Sequence, residues 1–480
     1  MTVHPDYLPE AFERTFAEAA RLAGEYLRGL PDREAFRRPP EEVVRRFETA
    51  PVPEEGVAAD VVLAEIERDV LPYSLGIGHQ RWWGYIRASP APIGMAADLL
   101  ASTMNNNCSG SAQIATYVEM TVMRWLAELV GYDPAAGGIL LSGGSAANFV
   151  ALAAMREARL PGTRASGLMG LERRPVVYVT HETHSCIRRA VELLGFGSDA
   201  LRLVPLAADR GMDVPALRTM IARDRAAGHA PLCVVGTAGT VNTGAIDPLA
   251  AIRDVARDED LWFHVDGAYG AVLRALPELT DRYAGMADAD SIAVNPHKWL
   301  YVPYEAGAVL VRDRNALTHA FATRAAYLEV EADDYFSGPL WFHQQGPQLS
   351  RAFRALKVWA VFKRFGLTGY RELWRQDLAA AAEVRRLVAA HPKLELVGRT
   401  DLSIVCFRYR PARGDPEPFN RKLVDRLQKD GRIFLAGTTV DATYCLRACI
   451  INVRTTQDDV RLAVQTVVDV GAALERPRGE

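Results

Sequence analysis

The chain has 480 residues, of which 49% are hydrophobic and 24% charged, and its formal net charge is −3. This length exceeds what one hydrophobic core supports and predicts two or three domains. The lack of a basic face argues against nucleic acid as a partner, and no apolar run is long enough to span a membrane. Since there is no secretory leader and the six cysteines are scattered without metal-type spacing, we expect a cytoplasmic protein without a metal.

Residues 1–75 are predicted to be mostly helical. Apolar residues recur at helical spacing in Phe12–Leu27 and Val57–Leu71, and the stretch Pro31–Pro53 between them favours turns and a short helix. Two amphipathic helices cannot bury their own apolar faces. This segment is therefore expected to pack on something larger, such as a second subunit.

From Gly76 onward, short apolar runs alternate with helical stretches. The alternation predicts a mostly parallel sheet wrapped by helices, and continuously apolar runs agree because parallel strands are buried on both faces. The predicted strands are Gly138–Leu141, Pro175–Thr180, Leu201–Pro205, Leu232–Gly236, Leu261–Asp266, Ser291–Asn295 and Ala308–Arg312. The predicted helices between them are Asn148–Arg159, Ser185–Leu194, Val214–Ala227 and Leu249–Glu259.

A smaller α+β domain is predicted after the sheet region. A long helix from Leu349 through Phe362 leaves the sheet, so we place the large domain at 76–365 and the small one at 366–480. The predicted elements of the small domain are the helices Tyr370–Ala390, Glu417–Lys429 and Asp458–Leu474 and the strands Leu402–Arg408, Arg432–Ala436 and Tyr444–Asn452.

Several predicted strands are followed by polar residues, and in a parallel sheet such residues meet at one edge. Gly144 and Ser145 follow the first strand in a glycine-rich turn that opens a helix, where backbone N–H groups favour a phosphate. His181 and His184 follow the second strand. An imidazole there can stack on an aromatic ring, whereas a metal site needs further ligands. Taken singly, these signals are equally typical of a capped turn and a polar first helical turn.

Asp266 and Lys298 follow two further strands. A carboxylate at the end of a buried strand needs a cationic partner, and burial can lower the pKa of a lysine until its neutral amine becomes a nucleophile. Helix capping by Asp266 and a lysine that reaches solvent from the sheet edge are the alternatives. Together, a phosphate cradle, a flat ring, a buried acid and an amine indicate a site for pyridoxal 5′-phosphate (PLP).

Two motifs resemble those of the group II, aromatic-type amino-acid decarboxylases. Asn295-Pro296-His297-Lys298-Trp299 is similar to the lysine motif of that family, and His264-Val265-Asp266-Gly267-Ala268-Tyr269-Gly270 is similar to its aspartate motif. The resemblance runs from about Ala11 to the final helix. It implies an α/β enzyme of PLP-dependent fold type I with a mostly parallel seven-stranded sheet. It also implies a homodimer clasped by the N-terminal helical segment.

The same resemblance implies a role for each residue of the site. Lys298 is expected to form the internal aldimine, Asp266 to keep the pyridine nitrogen protonated and His184 to stack on the ring. The other residues implied to contact the cofactor are Gly144, Ser145, Thr240, Ala268, Asn295 and His297. Arg454 resembles an arginine that lies near the substrate in the family.

The proton donor to Cα in the family is a tyrosine on a loop that corresponds here to residues 325–345. We favour Tyr335 because small and charged residues surround it; Tyr327 is an alternative, and counting back from the following helix reaches Trp341 instead. Family members without this tyrosine divert the reaction to oxygen and release an aldehyde, ammonia and peroxide. Aldehyde synthesis therefore remains an alternative to simple decarboxylation.

The substrate is expected to meet the stretch 82–89. Trp83 and Tyr85 suit an aromatic or large apolar side chain, Ala88 lies beside them, and Arg87 either points to solvent or meets an acidic group. We therefore predict decarboxylation of an L-amino acid to the amine and CO2, with an acidic amino acid as an alternative substrate. An aminotransferase fits the aspartate motif less well. The intact set of catalytic residues argues against a non-catalytic binding protein.

Overall fold

The structure, a computed structural model, describes residues 5–323 and 334–476. The chain divides into two compact units. The sheet unit consists of Ile86–Ala381 and Gly398–Val405, and the terminal unit consists of Met1–Tyr85, Ala382–Val397 and Cys406–Glu480. The three-domain division predicted from the sequence is a different partition and stays a prediction.

The predicted helices of the sheet region are all present, and two further helices precede them. Within the described residues the helices are, in chain order, α1 (Pro9–Gly29), α2 (Glu41–Thr49), α3 (Ala59–Glu65), α4 (Pro92–Met104), α5 (Ile114–Leu129), α6 (Gly144–Arg159), α7 (Thr163–Ser166), α8 (Ser185–Leu193), α9 (Val214–Ala226), α10 (Leu249–Asp258), α11 (Ala316–Phe321), α12 (Arg354–Ala390), α13 (Pro416–Asp430) and α14 (Gln457–Glu475). The long α12 begins later than predicted and is broken at Gly366, whose φ of 59° favours glycine.

A seven-stranded sheet forms the sheet unit. Its strands are β1 (Gly137–Leu141), β2 (Pro175–Thr180), β3 (Leu201–Val204), β4 (Ala230–Thr237), β5 (Trp262–Asp266), β6 (Ser291–Val294) and β7 (Gly307–Val311), in the order β1-β7-β6-β5-β4-β2-β3. Only β7 runs antiparallel to its neighbours. The mostly parallel sheet is thus confirmed, and the strand ends differ from the predicted ones by at most two residues.

The Ala-rich helix α6 lies directly on the sheet. Ala147, Ala151 and Ala154 are fully buried in one core with Val177 of β2 and Val235 of β4. Small side chains allow the helix to approach the strands closely. This packing fixes the start of α6 at the carboxyl end of β1, where the phosphate turn was predicted.

A second sheet, most of it in the terminal unit, differs from the prediction in two of its strands, since β8 was not predicted and one predicted strand is misplaced. Its strands are β8 (Leu394–Leu396), β9 (Ile404–Tyr409), β10 (Ala436–Val440) and β11 (Thr443–Cys449), in the order β10-β11-β9-β8. The predicted strand Arg432–Ala436 is wrong, because the ladder begins only at Ala436. Phe434 instead exchanges backbone hydrogen bonds with Arg81 and Trp83, so its polar groups are used outside the sheet.

Candidate active site

The predicted cofactor residues lie at the same edge of the seven-stranded sheet. They follow the carboxyl ends of β1, β2, β4, β5 and β6, which all run in one direction. The residues concerned are Gly144 and Ser145, His184, Thr240, Asp266 and Ala268, and Asn295, His297 and Lys298. Ligands of open α/β sheets bind at this edge.

The glycine-rich turn after β1 forms a tight cradle at the start of α6. A Cβ atom at Gly144 would lie 2.9 Å from the Asn295 amide nitrogen and 3.4 Å from the Ala268 Cβ, and one at Gly143 would lie 3.1 Å from Cε1 of His297. The first-turn N–H groups of α6, which have no partner within the helix, therefore lie beside these side chains. Ser145 is exposed in the same turn.

The imidazole of His297 fixes the orientation of the Asn295 amide. The Ala306 N–H donates to Nδ1 of His297 at 3.1 Å, so a neutral ring carries its proton on Nε2. Burial lowers the pKa of His297 to about 3 and keeps the ring neutral. Nδ2 of Asn295 lies 3.3 Å from Nε2, and Oδ1 is buried without a partner among the described residues. Because Nε2 carries a proton, turning the amide over lets its oxygen accept that proton. The NH2 group then takes the buried position of Oδ1, where a phosphate oxygen is a suitable acceptor.

Asp266 is a buried carboxylate at the end of β5. It is 5% exposed, and one of its oxygens accepts the Ala268 N–H at 3.1 Å. It forms no ion pair with any of the described residues. A buried charge in this state is costly unless a cation meets it.

Asp266 and Lys298 both lie within electrostatic range of His184. His184 caps α8, and its Nδ1 accepts the Cys186 N–H at 3.2 Å. Loss of solvation lowers the pKa of His184; the charge of Asp266 opposes this shift and that of Lys298 adds to it. The structure thus brings together the acid, the amine and the flat ring.

Two flanking groups complete the sheet-unit part of the site. Thr240 is fully buried, and its hydroxyl lies 2.9 Å from that of Thr243. The ring of Tyr304 lies 4.4 Å from that of His297, and the Arg87 guanidinium lies 5.9 Å from the Tyr304 ring. Arg87 therefore belongs to the surroundings of His297, and Ala88 beside it is buried.

The remaining predicted residues belong to the terminal unit, lie at the surface of the sheet unit or fall outside the described residues. Trp83, Tyr85 and Arg454 belong to the terminal unit; there the Trp83 indole N–H donates to Gln80 O at 3.0 Å, and the side chain of Arg454 donates to Gly78 O at 3.5 Å. Tyr335 is fully exposed, and Tyr327 lies outside the described residues. The roles of these residues stay predictions.

Residues 40–410 match the model of the pyridoxal-dependent decarboxylase conserved domain. The chain belongs to the pyridoxal-dependent decarboxylase family. It is a PLP-dependent carboxy-lyase of fold type I, and its residues fit the cofactor. The cradle with its partnerless amide suits the phosphate, and the unpaired Asp266 carboxylate suits a cationic ring nitrogen.

The relatives of this decarboxylase span several substrates. It is 31% identical to an aromatic-L-amino-acid decarboxylase of Bacillus atrophaeus (90% of this chain, 89% of the relative). It is 32% identical to an L-2,4-diaminobutyrate decarboxylase of Rhizobium meliloti (88% and 84%). The crystal structure of Oryza sativa TDC with PLP and tryptamine is similar at a TM-score of 0.92 and 27% identity, covering 99% of this chain and 100% of that one.

In residues 5–323 and 334–476, no helix combines the length and apolarity needed to cross a bilayer.

Sequence reasoning about this decarboxylase missed the polar groups beneath the site. His264, Asn148 and Ser291 are fully buried and joined by hydrogen bonds. One signal was available for His264, because it lies two residues before Asp266 and so shares a face of β5 with it. Asn148 and Ser291 come from distant parts of the chain, and nothing in their spacing connects them.

Proposed function

We propose that this enzyme decarboxylates an aromatic L-amino acid to the amine and CO2. The observation that carries the proposal is the buried Asp266 carboxylate, which has no ion pair in the described chain and, like Lys298, lies within electrostatic range of His184. Relatives named aromatic-L-amino-acid decarboxylase and tryptophan decarboxylase support the substrate class.

The roles of the residues follow from their chemistry. When bound, PLP supplies an aldehyde that reacts with amines and a ring that takes up the electrons released when a bond to Cα breaks. Lys298 offers the amine that anchors this aldehyde and yields it to the substrate amine. Asp266 holds a proton at the ring nitrogen, which a carboxylate at contact distance favours by about one to three pKa units. His184 provides a flat surface against the ring.

The phosphate end is held by groups that carry no charge of their own. The N–H groups at the start of α6, the Ser145 hydroxyl and the Asn295 amide are donors for its oxygens. His297 stays neutral and orients Asn295. Because these groups are fixed by the turn and by burial, they set the position of the ring relative to Lys298.

The substrate side chain is proposed to meet aromatic residues. Tyr85 is 50% exposed and presents a surface on which an aromatic ring can pack. Arg454 supplies a cation for the α-carboxylate, and Arg87 is the group that an acidic side chain would use. A preference for aromatic over acidic substrates therefore implies that Arg87 contributes little to binding.

Aldehyde synthesis is the second candidate. A relative named 4-hydroxyphenylacetaldehyde synthase, from Rhodiola rosea, is 28% identical over 85% of this chain. In addition, Tyr335, the proposed proton donor to Cα, is fully exposed in the structure. Without a donor near Cα, oxygen can compete for the reacting carbon and the product becomes an aldehyde.

One assay tests both candidates. The purified, PLP-loaded protein is incubated with phenylalanine, tyrosine, tryptophan, dopa and glutamate, and CO2, ammonia and peroxide are measured together. CO2 alone supports the decarboxylase, and equal amounts of all three support the aldehyde synthase. Keto acid without CO2 identifies a transaminase, and turnover of glutamate alone refutes the aromatic preference.

We also propose that the enzyme is a cytoplasmic homodimer. All six cysteines lie in described residues and are buried and free, as in a reducing compartment. The helices α4 and α5 expose apolar side chains that a second copy of the chain would cover, namely Ile93, Leu99, Leu100, Met104, Ile114, Tyr117 and Met120.

A further inference from the structure

Five buried side chains form a continuous chain of hydrogen bonds near Asp266. Trp262 Nε1 lies 2.9 Å from Ser291 Oγ, which lies 2.8 Å from Nδ1 of His264. Nε2 of His264 lies 2.7 Å from Asn148 Oδ1, and Asn148 Nδ2 lies 3.2 Å from Cys186 Sγ. The chain joins β5 and β6 to α6 and α8, so it links the elements that carry every group of the cofactor site except Thr240.

The Trp262 indole and the Asn148 amide set the direction of the bonds in this relay. The Trp262 indole can only donate, so the Ser291 oxygen accepts its N–H and the hydroxyl proton is directed to Nδ1 of His264. Asn148 donates through Nδ2 to Cys186 and therefore presents an acceptor to Nε2. A neutral imidazole with its proton on Nε2 satisfies every member of the relay. A second proton on Nδ1 would displace the proton of Ser291 from its acceptor.

The charge state of His264 matters because of its neighbour on the strand. Asp266 lies two residues further along β5, on the same face. Its charge and a hydrogen bond to the Ser291 backbone both raise the pKa of the imidazole, against the larger effect of burial. The thiols of Cys186 on α8 and Cys233 on β4 also pack around the relay, and burial raises the pKa of both, so they stay neutral. Besides Asp266, the charge of Lys298 acts on Cys186, and those of Asp290 and Arg159 act on Cys233. A positive His264 would therefore compete with any other cation for the field of Asp266.

We propose that His264 is a positioning residue that the relay holds neutral, so that the charge of Asp266 is left to the ring nitrogen of the cofactor. The inference rests on the proposed placement of that nitrogen beside Asp266. Burial acts in the same direction as the relay, because it lowers the pKa of His264 to about 4.

The protonation state can be read directly. Nitrogen NMR of the full-length protein with ¹⁵N-labelled histidine rings, before and after loading with PLP, reports both ring nitrogens, and His264→Gln assigns the signal. We expect a neutral ring with the proton on Nε2 between pH 6 and 8. An imidazolium at pH 7, or a proton on Nδ1 alone, overturns the proposal. Neither outcome depends on whether the enzyme releases CO2, so failure of the proposed function remains distinguishable.

Asn148→Asp tests the consequence of a charged His264. The nearly isosteric carboxylate would accept the Nε2 proton and raise the pKa of His264, so both ring nitrogens should be protonated at pH 7. We then expect the dissociation constant of PLP to rise about tenfold, equivalent to one pKa unit. We also expect the acid limb of kcat to move to above pH 7, where His264 of the variant loses its second proton, while KM stays constant. Purely structural damage would lower the melting temperature without moving that limb.

The matched control is Asn420→Asp in the terminal unit. Asn420 is likewise fully buried, and its oxygen accepts the Tyr409 N–H at 2.8 Å, so the variant introduces a buried carboxylate without a histidine partner. Its affinity for PLP should stay within twofold of the wild type. Two results for Asn148→Asp would overturn the proposal. One is a charged His264 with wild-type affinity for PLP, and the other is a neutral His264 with tenfold weaker affinity for PLP.

His264→Gln provides a second test of the role of His264, which can be used if Asn148→Asp does not fold. Glutamine is neutral and can both donate to Asn148 and accept from Ser291, so PLP affinity should stay within about threefold of the wild type. A folded His264→Gln protein that binds PLP more than tenfold more weakly contradicts the proposed role.

Discussion

Burial of the Asp266 charge costs folding free energy, and a bound cation removes that cost. Its carboxylate is buried, accepts one backbone N–H and has no ion pair among residues 5–323 and 334–476. A charge taken out of water without a partner destabilises the fold. A protonated ring nitrogen offsets that cost and is itself stabilised, so the acid and the cofactor hold each other in the charged state.

Asp266→Asn removes the charge and keeps the shape of the side chain. Since a contacting carboxylate shifts the pKa of its partner by about one to three units, we expect PLP affinity and kcat to fall by about ten- to a thousandfold. Absorbance titration with PLP and release of CO2 measure the two effects. Asp258→Asn, which removes an exposed carboxylate paired with Arg218, is the control and should change neither quantity. A near-normal kcat in Asp266→Asn contradicts the assignment.

Lys298→Ala tests which amine holds the cofactor. We expect this variant to lack the linkage that borohydride reduces in the wild type, because no other amine is proposed to reach the aldehyde. Lys357 is the control, since it lies in the same unit and is buried, but donates to Asp98 at 3.1 Å. Lys357→Arg should retain the reducible linkage by mass spectrometry. A linkage that persists in Lys298→Ala points to another lysine.

At the scale of elements, α12 holds the loop that follows Lys298. Asp377 of α12 accepts the Trp299 N–H at 2.8 Å and the Tyr301 O–H at 2.6 Å, and all three side chains are buried. Asp377→Ala leaves two buried donors unpaired, at about 1–3 kcal/mol each. We therefore expect the free energy of unfolding in urea to fall by about 2–6 kcal/mol, and PLP to bind more weakly because the lysine loop loosens.

Tyr301→Phe is the matched variant for this contact. It removes one donor and leaves the carboxylate bonded to Trp299, so the loss of stability should be smaller than in Asp377→Ala. Equal losses in the two variants would show that Asp377 acts through something other than these two bonds.

The elements differ in how much the sequence reveals about them. The strands β1 to β7 were predictable because buried parallel strands are continuous apolar runs bounded by polar turns. The helices α4 and α5 were not predicted, since apolar residues lie on several of their faces and blur the helical period. In α5, Val122 and Leu126 are buried while Ile114 and Tyr117 are exposed.

In the active site, too, features carried by short motifs could be predicted from the sequence, whereas features that depend on residues far apart in the chain could not. Asp266 and Lys298 could be assigned because each lies in a short motif at a strand end. The orientation of the Asn295 amide and the relay through His264 depend on partners far apart in sequence, such as Asn148, whose contact with His264 exists only in the folded sheet. Hydrogen-bond direction is a property of the assembled neighbourhood and leaves no pattern in one chain.

At the scale of the whole molecule, the exposed apolar residues of α4 and α5 are the ones proposed to face a second copy of the chain. The same residues blurred the helical period of these two helices in the sequence. Soluble monomers seldom expose so many apolar side chains on two consecutive helices. Light scattering should therefore give a mass of about twice the 52.7 kDa of the chain. Leu100→Glu, which places a charge at a 58% exposed position of α4, should shift the protein toward monomer. Leu193→Glu on α8, at a 70% exposed position outside this surface, should remain dimeric. The proposed dimer surface is contradicted if the wild type is a monomer. It is also contradicted if the Leu100→Glu protein dimerises as tightly as the wild type.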